Sequence, residues 1–320
     1  PPPPPPPPSN RRQRQMCIRD RTYPPCAVRG VMVASFLTPS KDSTYTYPAR
    51  ISQELDRIAG GDYVIDVADF RTDDKDRLLA DIHTVTRRRF KVARAWARCR
   101  PWDLFCMVEM GPDRMHHGFW RHADPGHRLH DPDSPYKDSI RDYYRLLDEE
   151  LGRLLEILPT DATLLVVSDH GARRMEGGIC INEWLIREGL LELRRYPAEI
   201  SRLSHQDVAW ERTRAWGEGG YYGRVFINLQ GREPRGVVPA REYEPFRAEL
   251  AQRLAAIADP AGAPIGTVVH TPQELYTDVK GVPPDLLVYF GDLAWRSVGT
   301  VGHDAIYTFS NDTGPDDAHH

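Results

Sequence analysis

Thr163-Leu164-Leu165-Val166-Val167-Ser168-Asp169-His170-Gly171 sets four apolar residues in a row and ends them on a carboxylate, an imidazole and a glycine. A short continuous apolar run bounded by turn formers is the pattern of a strand buried on both faces. Asp103-Leu104-Phe105-Cys106-Met107-Val108-Glu109 has the same pattern upstream, and it runs into Met110-Gly111-Pro112-Asp113-Arg114-Met115-His116-His117-Gly118. Between the two runs, Tyr136 to Leu158 places Ile140, Tyr143, Tyr144, Leu147, Leu151, Leu154, Leu155 and Leu158 on one helical face, and Pro159 stops it. Strand, helix, strand with both strands buried predicts a parallel sheet with a right-handed crossover.

Outward from this core the alternation continues. Asp74 to Cys99 reads as a helix, with Leu78, Leu79, Ile82, Val85, Phe90, Ala93, Trp96 and Ala97 at three- and four-residue spacing, closed by Pro101. Downstream, helices are expected at Asn182 to Glu188 and Glu242 to Ile257, and strands at Tyr222 to Leu229 and Asp285 to Phe290. There is no internal repeat and no Gly/Ser linker, so residues 23–320 read as one domain. Residues 1–22 differ in kind: eight prolines are followed by five arginines with few apolar residues between them. That segment reads as a disordered or non-native tail rather than as part of a core.

The 320 residues are 40% hydrophobic, with 42 Lys+Arg against 46 Asp+Glu for a net charge of −4. This is globular composition, long enough for a sizeable core, and it excludes disordered, collagenous and small disulfide-stapled classes. The tail carries five Arg against one Asp, so the rest is more acidic than the whole, and no nucleic-acid partner is indicated. No stretch approaches the ~20 apolar residues of a membrane span. Five cysteines without a C-x-x-C pair indicate neither a disulfide framework nor a zinc knuckle, and with no signal peptide they favour a cytoplasmic setting. Cys106 is expected in the core.

The chemistry concentrates where the two apolar runs end. In open parallel sheets the carboxyl ends of strands line the binding crevice, so the Asp113 and Asp169 clusters are expected to meet. Carboxylate oxygens and neutral imidazole nitrogens suit zinc, manganese or iron. Asp113 and His117 are four apart, within reach of one ion if the turn between them is helical. Asp169 and His170 are adjacent and serve one ion at a sharp turn or point at two, with Gly171 permitting the bend. Each cluster taken alone also fits a turn with a helix N-cap. Nearby, Arg173 and Arg174 are candidates to clamp a phosphate, or simply exposed arginines. Trp216, Tyr221 and Tyr222 are candidates to stack a nucleobase, or to pack a strand edge. Asp131-Pro132-Asp133 reads as a solvated turn.

Ser168-Asp169-His170-Gly171 after an apolar strand, with Gly111-Pro112-Asp113 and His117 upstream, resembles the alkaline phosphatase superfamily, and most closely its type I phosphodiesterase/nucleotide pyrophosphatase branch. The likeness runs on through Gly177 to Leu185, Ala215 to Tyr222, Val282-Pro283-Pro284-Asp285-Leu286 and Asn311 to Asp317. The resemblance implies an alkaline-phosphatase-like α/β/α sandwich with a mostly parallel sheet. It also implies a hydrolase of small-molecule phosphate esters or nucleotides, carrying two divalent metal ions, usually zinc, with manganese the alternative. Asp113 and His117 would then bind one ion, and Asp169 and His170 would contribute to the other. Phosphomonoesterase, mutase, sulfatase and phosphonate hydrolase share that scaffold. A non-catalytic metal-binding module is the reading from another class.

Family members also have an N-terminal Asp ligand, a Thr or Ser nucleophile and a late His. The pattern departs here: no such front segment precedes Asp113, and the chain stops at His319-His320. The domain is therefore read as incomplete at both ends, and the chain as it stands is expected to bind metal poorly and turn nothing over. His303, His319 and His320 are the candidates for the late ligand, and Thr38, Ser40 and Thr44 are the early hydroxyls, in an ordinary extended loop.

Overall fold

A computed structural model describes residues 23–310 together with the backbone of 15–19 and 318–319. The proline run, the 311–317 motif, His320 and the side chain of His319 lie outside the described residues. The chain divides into two compact units, Pro1–Ala123 with Asp131–Ser168, and Asp124–His130 with Asp169–His320.

The first unit holds β1 (Gln15–Arg19), β2 (Gly30–Ala34), β3 (Thr46–Tyr47), α1 (Ile51–Ala59), α2 (Lys75–Cys99), β4 (Leu104–Cys106), α3 (Gly111–Ala123) and α4 (Ser139–Leu155). Its sheet has the order β3-β2-β1-β4, in which β1 runs parallel to both neighbours and β3 antiparallel to β2. The reading of residues 1–22 as a tail thus fails at 15–19, whose backbone is an inner strand. Its few apolar residues gave no periodicity, and the neighbours that pair with it lie further along the chain.

Helix α2 organises the packing of this unit. Asp74 caps it by accepting the Arg77 N–H at 3.1 Å, and after Arg100 turns extended, Pro101 lacks the N–H to continue. Val92 and Trp96 pack with Val31 and Val33 of β2 and with Ile51 and Leu55 of α1. Earlier turns place Leu78 and Ile82 against Met115 and Phe119 of α3 and Tyr143 of α4. Each such buried aliphatic side chain contributes about 1.5–3 kcal/mol.

Polar groups at the edge of this core are tied in. Trp96 Nε1 donates to Glu54 Oε1 at 3.0 Å, and Arg100 donates to the other oxygen. Burial pushes the Glu54 carboxyl up, but the bonds from Arg100 and Trp96 outweigh it and hold the group below its ordinary value. A carboxylate depressed by folding stabilises above its unfolded pKa, and that contribution is lost as the pH falls through the folded one. Glu54→Gln is expected to flatten the acid limb of the stability curve, read as urea midpoints across pH. Equal acid slopes in the two proteins would contradict the assignment.

The second unit holds β5 (Arg173–Arg174), β6 (Gly177–Cys180), α5 (Ile181–Arg187), β7 (Ser201–Arg202), β8 (Ala215–Glu218), β9 (Gly223–Ile227), α6 (Ala240–Ala255), β10 (Val268–His270), α7 (Pro272–Leu275), β11 (Leu286–Tyr289), β12 (Trp295–Val298), β13 (Thr300–Val301), β14 (Tyr307–Thr308) and β15 (Ala318–His319). An antiparallel sheet of order β10-β11-β9-β8 faces α5 and α6 through Val225, Ile227, Leu286 and Val288, which pack with Ile181, Leu185, Phe246 and Leu250. In the sheet β12-β6-β14, β6 pairs parallel with β12 and antiparallel with β14. Asn182, fully buried, donates to Gly217 O at 2.9 Å and Gly299 O at 2.8 Å and accepts from Gly217 N at 2.8 Å, so one side chain staples α5 to β8 and to the link between β12 and β13.

The fold is mixed α/β, as expected, but the mostly parallel sheet is not found. Among the named strands parallel pairing is confined to β1 with β2 and β4 and to β6 with β12, and the other strand pairs are antiparallel. The four helices and two strands predicted outside the two apolar runs are present within a few residues of their expected ends.

The two apolar runs differ most from expectation. Residues 103–109 yield only the three-residue β4 at the sheet edge, with Leu104 half exposed and Cys106 half-buried rather than in the core. Residues 163–168 join no ladder among the described residues, and Leu165, Val166 and Val167 are 79%, 75% and 86% exposed. An apolar run has the side chains of a buried strand, but its N–H and C=O groups need a neighbour from elsewhere in the chain.

Candidate functional site

The first cluster is built on the start of α3. Asp113 lies in its first turn, where a carboxylate complements the helix dipole, and His117 lies one turn on over the same face. His117 Nε2 stands 3.5 Å from Asp113 Oδ1, with both side chains largely buried. The helical turn required for the pair to act together is therefore present.

Glu109, just before α3, fixes where that helix begins. Its Oε1 accepts the Gly111 N–H at 2.9 Å and the Thr86 hydroxyl at 3.2 Å. Arg89 Nη1, on α2 and fully buried, lies 3.5 Å from the same oxygen, and the Tyr143 hydroxyl from α4 donates to it at 3.4 Å. Burial, with the Glu109 charge beside it, pushes the Tyr143 phenol above its ordinary value, so it remains a donor. Arg89 also donates to Ile65 O at 2.9 Å and Val108 O at 3.3 Å. A buried arginine is tolerated only when paired and hydrogen-bonded.

Thr86, Arg89 and Tyr143 were not visible as site residues in the sequence. The available signal was Arg89 itself, a charge set between Val85, Phe90 and Val92 on a stripe that is mostly apolar.

The second cluster lies in the second unit. His170 Nε2 is 3.6 Å from Asp169 Oδ1, and His170 Nδ1 lies 2.8 Å from Gly171 O. A carbonyl only accepts, so the neutral ring carries its proton on Nδ1 and keeps the Nε2 lone pair on the Asp169 side. This is how metal-binding histidines are oriented. Gly171 has open space around it and no positive φ, so the bend does not depend on glycine there.

The structure thus brings Asp113 to His117 and Asp169 to His170, each pair in its own unit. Among the described residues no three His, Cys, Asp or Glu side chains converge as a metal-holding group.

The other candidates have structural partners. Arg173 donates to Asp292 Oδ2 at 2.7 Å, and Arg174 to Glu176 at 2.6 Å and Asp124 at 3.5 Å. Trp216 stacks on Phe226 at 5.4 Å with Trp210 edge-on at 5.0 Å, and Tyr222 meets Tyr289 at 5.6 Å, while Tyr221 is exposed. Asp131-Pro132-Asp133 is an exposed turn closed by Asp131 Oδ1 on the Asp133 N–H at 3.0 Å.

His303 Nε2 pairs with the Thr300 hydroxyl at 2.7 Å, and its backbone N–H, with that of Gly302, is held by the buried Glu183. Burial and the Glu183 carboxylate push Tyr196, a third donor to that group, up to about 12. Of the early hydroxyls, Ser40 pairs with Ser43, Thr38 Oγ1 is buried without a hydrogen-bond partner among the described residues, and Thr44 lines a cavity of about 460 Å³ with Lys41, Tyr45, Asp56 and Asp62. Neither Asp113 nor His117 lines that cavity.

Compared with known families, residues 13–316 match the family model of type I phosphodiesterase / nucleotide pyrophosphatase. The chain belongs to that family. Type I phosphodiesterases/nucleotide pyrophosphatases are hydrolases of phosphodiester or nucleotide substrates within the alkaline phosphatase superfamily. The match begins before β1, in keeping with the inner position of that strand, and it spans both units. No curated protein and no solved structure matches the chain. No helix among the described residues of this family member is long and apolar enough to cross a membrane.

Proposed function

We propose that this phosphodiesterase-family chain is a metal-dependent phosphoryl hydrolase of the phosphodiesterase/nucleotide pyrophosphatase type, with Asp113 and His117 holding one divalent ion and Asp169 and His170 contributing to a second. The observation that carries this reading is that each pair sets a carboxylate oxygen and an imidazole nitrogen 3.5 and 3.6 Å apart. Zinc, or manganese, suits this donor set of oxygen and neutral nitrogen. When bound, a pair of such ions stabilises charge on the attacking and leaving oxygens of a phosphoryl transfer.

The chain's own residues prepare for that role. Gly171 O fixes the His170 tautomer, and Glu109 with Arg89 and Tyr143 fixes the start of the helix that presents Asp113. Diesters and nucleotide pyrophosphates are the substrates this reading favours, in a soluble, cytoplasmic setting without a nucleic-acid or membrane partner.

The test separates binding from turnover. Zinc and manganese are titrated calorimetrically into the metal-stripped chain, and hydrolysis of bis-aryl and mono-aryl phosphates is followed with and without chelator. The expected result is saturable zinc binding that Asp169→Ala and Asp113→Ala each reduce in stoichiometry, and any turnover should prefer the diester and vanish on chelation. A chain that takes up no divalent ion, or an Asp169→Ala variant with unchanged stoichiometry, would overturn the ligand assignment.

A further inference from the structure

Next to Asp113 the chain carries an arginine that is held unusually firmly. Arg114 Nε donates to Asp66 Oδ1 at 3.3 Å, and its Nη2 donates to Asp66 Oδ2. Its guanidinium carbon lies 4.2 Å over the Phe70 ring. The remaining arm, Nη1, donates to Asp113 Oδ2 at 2.7 Å. Asp66 is itself oriented, since its Oδ1 accepts the Val67 N–H at 2.8 Å. Arg114 is buried, so these are desolvated, charge-assisted bonds, and a planar fork shared between two carboxylates leaves little freedom to either.

The consequence falls on the two oxygens of Asp113. Oδ2 is committed to Arg114, while Oδ1 faces His117 Nε2 at 3.5 Å. Phe70, the floor beneath Arg114, also lies 6.2 Å ring to ring from His117, so one aromatic side chain backs both the arginine and the imidazole.

We propose that Arg114, braced by Asp66 and Phe70, is a positioning residue that restricts Asp113 to one ligand oxygen and so biases the site toward zinc-like ions over calcium. The inference rests on Asp113 and His117 being metal ligands, as proposed above. Zinc takes few ligands at short distance, whereas calcium takes six to eight oxygens and commonly uses a carboxylate through both. A carboxylate with one oxygen tied to arginine serves the first ion and handicaps the second. Outer partners of this kind typically change metal affinity by about 10–100-fold when removed.

The experiment is competitive titration of zinc and calcium into the metal-stripped full chain and its Arg114→Lys variant, with apo melting temperature as the control. Lysine keeps the charge and loses the fork. The expected result is zinc binding weakened by about 10–100-fold, with a zinc-to-calcium preference that falls with it. Cobalt substituted for zinc should show a changed visible spectrum in the variant, a readout that general loosening of the fold does not produce. Asp66→Asn, which keeps Arg114 and its bond to Asp113, is the second variant and is expected to move the preference the same way by a smaller factor. It gives the reading if Arg114→Lys does not fold.

An unchanged zinc-to-calcium preference in folded variants, with wild-type zinc binding intact and sensitive to Asp113→Ala, would overturn the role of Arg114 alone. Zinc binding insensitive to Asp113→Ala would overturn the ligand assignment and this inference together.

Discussion

Gly111→Ala is expected to destabilise the first unit by about 3–5 kcal/mol, adding an overpacking cost to the loss of buried hydrogen bonds. A Cβ at position 111 would lie 1.6 Å from Tyr143 Oη, 2.5 Å from its Cζ and 2.9 Å from Glu109 Oε1. None of these atoms is the loose end of a surface side chain. Tyr143 is fully buried, and its hydroxyl bonds Thr86 at 2.9 Å as well as Glu109. Either the first turn of α3 retreats, carrying Asp113 with it, or Tyr143 withdraws and leaves the Arg89–Glu109 pair short of a donor.

Urea denaturation measures the loss, and a double-mutant cycle identifies its cause. In a Tyr143→Ala background the clash with the ring is gone and the 2.9 Å approach to Glu109 Oε1 is what remains, so adding Gly111→Ala should cost about 1–2 kcal/mol, well below its cost in the wild-type background. Tyr143→Phe should give little relief, because Cζ remains. A Gly111→Ala protein within about 1 kcal/mol of wild type would show that the turn yields more readily than the contacts imply.

Asp285→Ala is expected to cost about 3–5 kcal/mol in the second unit, the range for removing one partner of a buried ion pair. Asp285 is almost fully buried and accepts four bonds: Arg232 Nη1 at 2.7 Å and Tyr243 Oη at 2.5 Å on Oδ1, and Arg232 Nη2 at 2.7 Å and Ile227 N at 2.6 Å on Oδ2. It joins β11 to β9, to the turn after β9 and to α6. Arg232 is about one-third exposed and can recover water, whereas the Ile227 N–H sits in a buried ladder and cannot.

Asp285→Asn should be destabilised as well, because an amide that accepts on one side must turn N–H donors toward donors on the other. Tryptophan fluorescence, dominated in this unit by Trp184, Trp210, Trp216 and Trp295, follows the transition. A midpoint unchanged in both variants would rule out the network as a structural anchor. The Pro283-Pro284-Asp285 element of the family resemblance is on this view a packing device.

How much was legible in the sequence depended on where the partners of each group lie. Helices α2, α4, α5 and α6 were readable because their hydrogen bonds close four residues away and their buried faces repeat within a turn or two. The candidate ligands were readable for the same reason: Asp113 and His117 share a helix face, and Asp169 and His170 are neighbours whose geometry is set by the next carbonyl. The braces of the site were not. Asp66 reaches Arg114 across 48 positions and Tyr143 reaches Glu109 across 34, and no local spacing encodes such pairs.

Strands mark the boundary most sharply. Residues 15–19 have few apolar neighbours in sequence and form an inner strand, while Leu164 to Val167 have the composition of a buried strand and stand exposed. The sequence alone determined helices α2, α4, α5 and α6, the prolines that follow two of them, the two Asp/His pairs and the family likeness, because those are written in residues close together in the chain. Only the tertiary structure decided which extended segments pair, in which direction, and which buried charge steadies which ligand, because a strand's backbone groups and a buried ion's counter-charge are satisfied by parts of the chain that folding must first bring near.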